Sequence, residues 1–91
     1  MTELTTKEKT HLRSRAQRLK ASTAIGKAGL TDAVTATVSR LLDQHELVKI
    51  TIPAGPADDR HATANALAAA TTSALVAVIG RVVVLYRPRA E

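Results

Sequence analysis

Two apolar runs near the end of the chain, separated by only two residues, are the feature that most restricts its fold. Residues 74–79 read Ala-Leu-Val-Ala-Val-Ile and residues 82–86 read Val-Val-Val-Leu-Tyr, with Gly80-Arg81 between them. β-Branched residues favour strands, and a glycine that opens a two-residue loop is typical of a type II′ turn. The pattern therefore predicts an antiparallel β-hairpin, so the fold must contain a sheet.

A first helix and a short strand are predicted before residue 26. Thr5-Thr6-Lys7-Glu8 has the pattern of a capping box, which opens a helix. This helix should run to about Lys20, with an apolar stripe formed by Leu12, Ala16 and Leu19. Residues 21–25 begin polar and end apolar, which predicts a short strand.

A second helix and strand follow. Thr31 is a suitable N-cap for a helix that ends at Gln44 or His45. Residues 47–52 then alternate between apolar and polar side chains, which predicts a strand with one covered face and one relatively open face. The covered face carries Val48, Ile50 and Ile52.

A third helix is predicted after the loop at residues 53–56, which contains two prolines and a glycine. Asp58 or Asp59 is the expected cap, and the helix should run from about Arg60 to Thr72. Its inner face is predicted to consist of Leu67 and the alanines Ala62, Ala66, Ala69 and Ala70.

The predicted order is thus α-β-α-β-α-β-β. Right-handed crossovers would place the second and third helices on one face of a mixed four-stranded sheet. We therefore expect an α/β fold, a two-layer sandwich in which the sheet is backed by helices. The 91 residues suffice for a single domain, residues 1–91, with one small core.

Positive charge is concentrated in the first third of the chain. Residues 1–29 contain seven Lys and Arg against Glu3 and Glu8, whereas residues 30–91 contain six basic and six acidic residues. On the first helix the cations form two rows, one of Lys9, Arg13 and Lys20 and the other of Lys7, Arg15 and Arg18, with His11 between Lys7 and Arg15. Such rows repel each other unless an anion binds, so a polyanion is the expected partner.

Gly26-Lys27-Ala28-Gly29 stands directly before the N-cap Thr31. Glycine lets another molecule's backbone approach the main chain, and the free N–H groups of a helix start suit a phosphate, as does Lys27. One hypothesis is that this loop clamps a sugar-phosphate backbone. The other is an ordinary strand-to-helix turn, because a Gly-x-x-Gly pair arises readily by chance.

The sequence argues against several other functions. His11, His45 and His61 lack the spacing of metal ligands, and no P-loop pattern is present, so we expect no catalysis, metal or cofactor. Tyr86 is the only aromatic residue, which excludes the stacking platforms of RRM and OB folds. Without cysteine, a long apolar run or a signal-peptide core, a cytoplasmic location with no membrane partner is expected.

Three blocks of the sequence resemble a known family in order and spacing. They are residues 25–31 (Ile-Gly-Lys-Ala-Gly-Leu-Thr), 45–50 (His-Glu-Leu-Val-Lys-Ile) and 78–88 (Val-Ile-Gly-Arg-Val-Val-Val-Leu-Tyr-Arg-Pro). Together they resemble the CRM domain (chloroplast RNA splicing and ribosome maturation), specifically the bacterial single-domain YhbY-like proteins, over about Leu4 to Pro88. One departure is Thr72-Ser73, where the family usually has Thr-Gly, which should remove an easy left-handed helix cap.

The resemblance implies an RNA-binding domain similar in fold to the C-terminal domain of bacterial translation initiation factor three, with the Gly-x-x-Gly loop on the RNA surface. It further implies a link to precursors of the large ribosomal subunit. We therefore expect a monomeric, non-catalytic protein that binds RNA and no small-molecule substrate. The predicted RNA-binding residues are Gly26, Lys27, Ala28, Gly29, Lys20, Arg13, Lys9, Arg15 and Arg18.

The main alternative is a protein-docking module whose basic helix binds an acidic partner. An enzyme that acts on phosphate esters is a third and more remote reading. The salt dependence of RNA binding distinguishes the first two functions, because phosphate contacts release counterions.

Overall fold

The computed structural model describes residues 5–21, 23–26, 29–53 and 55–88. Its elements follow the predicted order α-β-α-β-α-β-β. They are α1 (Thr6–Ala16), β1 (Thr23–Ala24), α2 (Asp32–His45), β2 (Leu47–Thr51), α3 (Ala57–Ala70), β3 (Ala74–Ile79) and β4 (Val82–Tyr86).

The four strands form one mixed sheet in the order β1-β2-β4-β3. β1 runs parallel to β2, and the other two neighbouring pairs are antiparallel. The hairpin of β3 and β4 has the predicted bounds, and Ile79 pairs with Val82 across the turn. Gly80 takes φ +58° while Arg81 keeps a negative φ, as a type II′ turn requires. The mixed four-stranded sheet and its hairpin are thus confirmed.

Helices α2 and α3 pack on one face of this sheet. Leu42 and Leu67 are fully buried against Ile50 and Leu85 in the larger of two core clusters. α2 begins as predicted, because the hydroxyl of Thr31 accepts a hydrogen bond of 3.2 Å from the amide of Val34. The expected layer of helices behind the sheet is therefore present.

Helix α1 covers the sheet's other face, where it contacts β2, β3 and β4. Leu12 and Ala16 are buried there in a second cluster with Leu47, Val76 and Val84. An irregularity in β3 shifts the register between Leu75 and Ala77, so that Val76 and its neighbour Ala77 both belong to the α1 side. The face of β2 that the sequence predicts to be relatively open is thus partly covered by α1.

The first helix is shorter than predicted. α1 ends at Ala16 rather than near Lys20, and Leu19 is 41% exposed instead of continuing the apolar stripe. Beyond Ala16 the amides of Arg18 and Leu19 bond to carbonyls only three residues back, which tightens the last turn. The chain leaves the helix here because it must reach β1 at the edge of the sheet.

The third helix differs in its start and in its buried face. α3 begins at Ala57 after Pro56 without a side-chain cap, and Asp58 and Asp59 lie in its first turn, where their charges favour the helix dipole. Leu67 is buried as predicted, but its buried alanine neighbours are Ala64 and Ala68, whereas all four predicted alanines are exposed. Alanine occurs on several faces of this helix, so the spacing of the alanines does not show which face is buried.

The end of α3 also corrects an expectation about Ser73. The amides of Thr72 and Ser73 donate to the carbonyls of Ala69 and Ala68, which is the hydrogen-bond pattern of a Schellman motif. The left-handed residue of this motif is Thr72, at φ +52°, and not Ser73. Serine in place of the family's glycine therefore removes no left-handed cap.

Candidate nucleic-acid interface

The Gly-x-x-Gly loop emerges from the carboxyl end of β1. The amide of Ile25 extends the pairing with β2 by a 2.8 Å bond to the carbonyl of Thr51, and the chain then turns. The amide of Gly29 donates to the carbonyl of Gly26 at 3.0 Å, and this bond joins the two glycines, whose segment before α2 is called the glycine turn below. The predicted residues Lys27 and Ala28, between the two glycines, lie outside the described part of the structure.

The two glycines have different backbone requirements. Gly29 adopts φ +74°, a left-handed conformation that favours glycine, whereas Gly26 does not. A Cβ atom built on either residue meets no described heavy atom within 4 Å, so both face open space. The fold therefore explains a glycine at 29 but not at 26.

Some of the backbone N–H groups that were expected to bind a phosphate donate to other groups of the protein instead. The amide of Gly29 closes the turn, and the amide of Val34 is capped by Thr31. A phosphate at this loop would therefore rely less on helix N–H groups than the sequence suggested. What the turn offers is an unobstructed approach to its main chain at Gly26 and Gly29.

The predicted basic residues of the described segment are all solvent-exposed. Lys9, Arg13 and Arg15 lie on α1, and Arg18 and Lys20 lie between α1 and β1. Within the described ranges, none of these five side chains makes a hydrogen bond or an ion pair. Their donors and charges are available to a partner.

Among the described residues after position 30, most basic side chains are engaged with the protein itself. Lys49 donates to the carbonyl of Leu19 at 3.0 Å, and Arg60 donates to that of Gly80 at 2.6 Å. Arg81 and Arg87 also donate to main-chain oxygens, whereas Arg40 is exposed on α2. The available positive charge is thus concentrated before the glycine turn, as the sequence predicted.

The turn and the basic segment lie on connected parts of the fold. β1 is an edge strand, and Lys20 precedes it while Gly26 follows it. Six residue steps separate these two residues, which limits the distance between their Cα atoms to about 22 Å. α1, in contrast, lies on the sheet face opposite to α2, so its cations and the turn do not form a single flat patch.

A cavity of about 240 Å³ opens beside Gly29. Its other walls come from the loop after β2 and from the start of α3, including Gly55, Arg60 and Thr63. The two loops meet there because β1 and β2 are parallel neighbours, so their carboxyl ends lie at the same edge of the sheet. Gly55 is therefore close to the glycine turn and not remote from it.

A groove of about 350 Å³ lies between α1 and the end of β4. Lys7, His11 and Arg15 line it together with Tyr86, and an adjoining cleft extends it to Arg18. Sequence reasoning placed Lys7, His11 and Arg15 in one row but not beside Tyr86. About seventy residues of chain separate them, and no short-range pattern reports such a contact.

The described residues include no group of three or more His, Cys, Asp or Glu that could hold a metal ion. His11, His45 and His61 are exposed and lie on three different helices. In the same part of the chain, no helix has the length and apolarity to cross a membrane.

Comparison with known proteins gives consistent matches over nearly the whole chain. The family model of the CRS1/YhbY (CRM) domain matches residues 4–87. A Haemophilus influenzae protein called RNA-binding protein is 36% identical over 91 residues, which covers 100% of this chain and 92% of that protein. A Bacillus subtilis protein, YqeI, named as a probable RNA-binding protein, is 34% identical over 88 residues, covering 97% and 92%.

The fold also matches a solved structure. A Staphylococcus aureus protein, determined in solution and described as a candidate RNA binder, superimposes with a TM-score of 0.87. Its sequence is 36% identical, and the match covers 98% of this chain and 93% of that one.

Proposed function

Because the chain belongs to the CRS1/YhbY (CRM) domain family, we propose that it is a non-catalytic RNA-binding protein of the cytoplasm. Similar proteins in Haemophilus influenzae and Bacillus subtilis bear names that describe RNA binding. The proposed RNA is ribosomal RNA of the large-subunit precursor, and the proposed role is to aid assembly of that subunit. The protein acts as a monomer.

The distribution of engaged and available cations carries this proposal. Lys49, Arg60 and Arg87 donate to oxygens of the protein itself, while the five described cations of the predicted RNA surface do not. Holding several like charges near one another without partners costs stability unless an anion neutralises them. A phosphate backbone supplies a regularly spaced series of such anions.

The glycine turn supports the same function. Gly26 has neither a left-handed backbone nor a close neighbour in the described structure, so nothing in the fold calls for a glycine there. A side chain at this position would occupy the space through which a sugar-phosphate backbone approaches the turn. In this proposal the turn holds the RNA backbone, and the cations of α1 and of residues 17–20 add long-range attraction.

Sedimentation of cell extracts tests the proposed target. The protein should move with large-subunit precursors in a sucrose gradient, and crosslinked RNA should map to large-subunit ribosomal RNA. Ribonuclease treatment should release the protein from these fractions. Retention after complete RNA digestion would instead support the protein-docking alternative, with an acidic protein as the partner of the basic helix.

A further inference from the structure

We infer that Tyr86 stacks on one unpaired base of the bound RNA, in the groove that it shares with Lys7, His11 and Arg15. This inference rests on the proposed function and adds to it a second contact, remote from the glycine turn. The stacking site gives a direct contact to a groove, and to cations of α1 beside it that otherwise contribute only long-range attraction.

The position of Tyr86 suits stacking on a single base, which needs only one aromatic ring. It is the last residue of β4 and pairs with Leu47 on one side and Ala74 on the other, so its backbone is held by two strands. Its ring packs against the cluster that contains Leu12, yet the residue stays only half-buried. A ring anchored in this way presents its exposed part with little loss of conformational entropy on binding.

The walls of the groove supply the matching charge. Lys7, His11 and Arg15 are spaced four residues apart on α1 and thus form one row beside the ring. Glu8 also lines the groove, but its carboxylate accepts a 3.1 Å hydrogen bond from the amide of Thr5 in the capping box. Lys7 and Arg15 can therefore bind the phosphates that flank a stacked base.

The size and chemistry of the groove suit a single unpaired nucleotide. Its volume of about 350 Å³ lies at the small end of ligand sites, which suits one nucleotide rather than a folded partner. Every base has a π-face, so stacking on Tyr86 tolerates all four bases but requires that the base be unpaired. The preferred RNA is thus single-stranded, or has a loop or bulge.

The two contacts lie toward opposite ends of the sheet. The glycine turn follows Ala24, which aligns through Thr51 with Val82, whereas Tyr86 lies four residues further along β4. Four strand residues span about 13 Å. An RNA that reaches both sites must therefore extend over several nucleotides.

The test uses the fact that Tyr86 is the only aromatic residue in the sequence. Protein labelled with 3-fluorotyrosine should give one ¹⁹F NMR line, which reports on this groove alone. A single-stranded RNA of ten nucleotides should shift the line, and a fully paired RNA duplex should shift it much less. Tyr86→Leu should weaken binding of the single strand about 5- to 150-fold, while Tyr86→Phe binds as wild type.

Two further measurements distinguish a structural role of Tyr86 from a stacking role. Tyr86→Leu should leave the salt dependence of binding unchanged because no charge is removed, and its thermal melt should show a folded protein. If the single strand binds but the ¹⁹F line stays in place, or if a folded Tyr86→Leu binds as tightly as wild type, the stacking inference is wrong while RNA binding stands. If no RNA binds the wild-type chain, the proposed function fails and the stacking site with it.

Discussion

The guanidinium of Arg87 donates a 2.6 Å hydrogen bond from Nη1 to the main-chain carbonyl of Thr71 at the end of α3. The same side chain bonds through Nη2 to the carbonyl of Ser39 at 2.6 Å and to Oδ1 of Asp43 at 2.7 Å, both on α2. One residue thus joins the end of β4 to both helices of the larger core. Its charge also lies at the carboxyl end of α3, where a cation is favourable.

Replacing Arg87 should therefore destabilise the fold. Arg87→Met removes charge-assisted hydrogen bonds and leaves half-buried carbonyls without donors, so we expect a loss of about 2–4 kcal/mol in the free energy of unfolding. In a domain of this size that lowers the melting temperature by roughly 10–30 °C. Arg40→Met is the matched control, since Arg40 is an exposed cation on α2, and its cost should stay within about 0.5 kcal/mol. Equal melting temperatures for the two variants would show that the Arg87 contacts contribute little.

A substitution at Thr72 should stabilise the fold instead. Its φ of +52° is strained for a β-branched residue, and its side chain is exposed. Thr72→Gly should raise the free energy of unfolding by about 1 kcal/mol in urea titrations. Thr72→Ala, which keeps a Cβ in the left-handed region, should recover less than this. A destabilised Thr72→Gly would contradict the assigned strain.

The accuracy of the sequence-based predictions followed the strength of the local signals. The hairpin of β3 and β4 and the start of α2 were predicted to the residue, because a glycine-first turn and a Thr cap define their ends. The prediction of the buried face of α3 was wrong except for Leu67, because the alanine spacing does not show which face of the helix is buried. The exposure of Leu19 was missed because the end of α1 is set by the distance to the edge strand, which is a tertiary constraint.

The same distinction applies to the candidate site. The concentration of available cations before the glycine turn could be read from charge counts, and the turn itself from its two glycines. The groove beside Tyr86 could not, because it joins α1 to the far end of β4. Contributions of Lys27 and Ala28 to RNA binding stay predictions.

RNA binding should weaken strongly as salt rises. With about three to six cations engaged, affinity should fall roughly 10- to 1000-fold between 50 and 200 mM salt. Arg13→Gln should reduce the slope of log affinity against log salt by about 0.7–0.9, the value of one phosphate contact. Arg40→Gln removes the same charge from α2 and should leave the slope unchanged. A response that is flat over this range would favour the protein-docking alternative.

Gly29 is expected to affect folding and binding together. At φ +74°, an aspartate there costs of order 1 kcal/mol in stability and also adds a negative charge at the turn. Gly29→Asp should therefore lower the melting temperature and reduce RNA affinity far more than Lys27→Ala, which removes about one phosphate contact. Thermal melts and binding isotherms on the same samples separate the two effects. Unchanged RNA affinity in a folded Gly29→Asp would leave the turn without a role in binding.

A test of the turn that avoids the loss of stability at Gly29 uses the other glycine, Gly26, together with a control outside the turn. Gly26 has no left-handed φ and no described atom near its Cβ position, so Gly26→Asp should fold as wild type. Gly55 is unsuitable as a control because it lines the cavity beside Gly29. Asn65→Asp is better matched, since Asn65 is exposed on α3 and the change adds the same charge with almost the same shape.

The most direct measurement is the affinity of Gly26→Asp and of Asn65→Asp for one structured fragment of large-subunit ribosomal RNA, at one fixed salt concentration. If the turn holds the sugar-phosphate backbone, a like charge within a few ångströms of a phosphate should weaken binding by Gly26→Asp at least about tenfold. Asn65→Asp should stay within about twofold of wild type, and both should keep the wild-type melting temperature. Equal affinities of the two folded variants would contradict the claim that the turn at Gly26 contacts RNA.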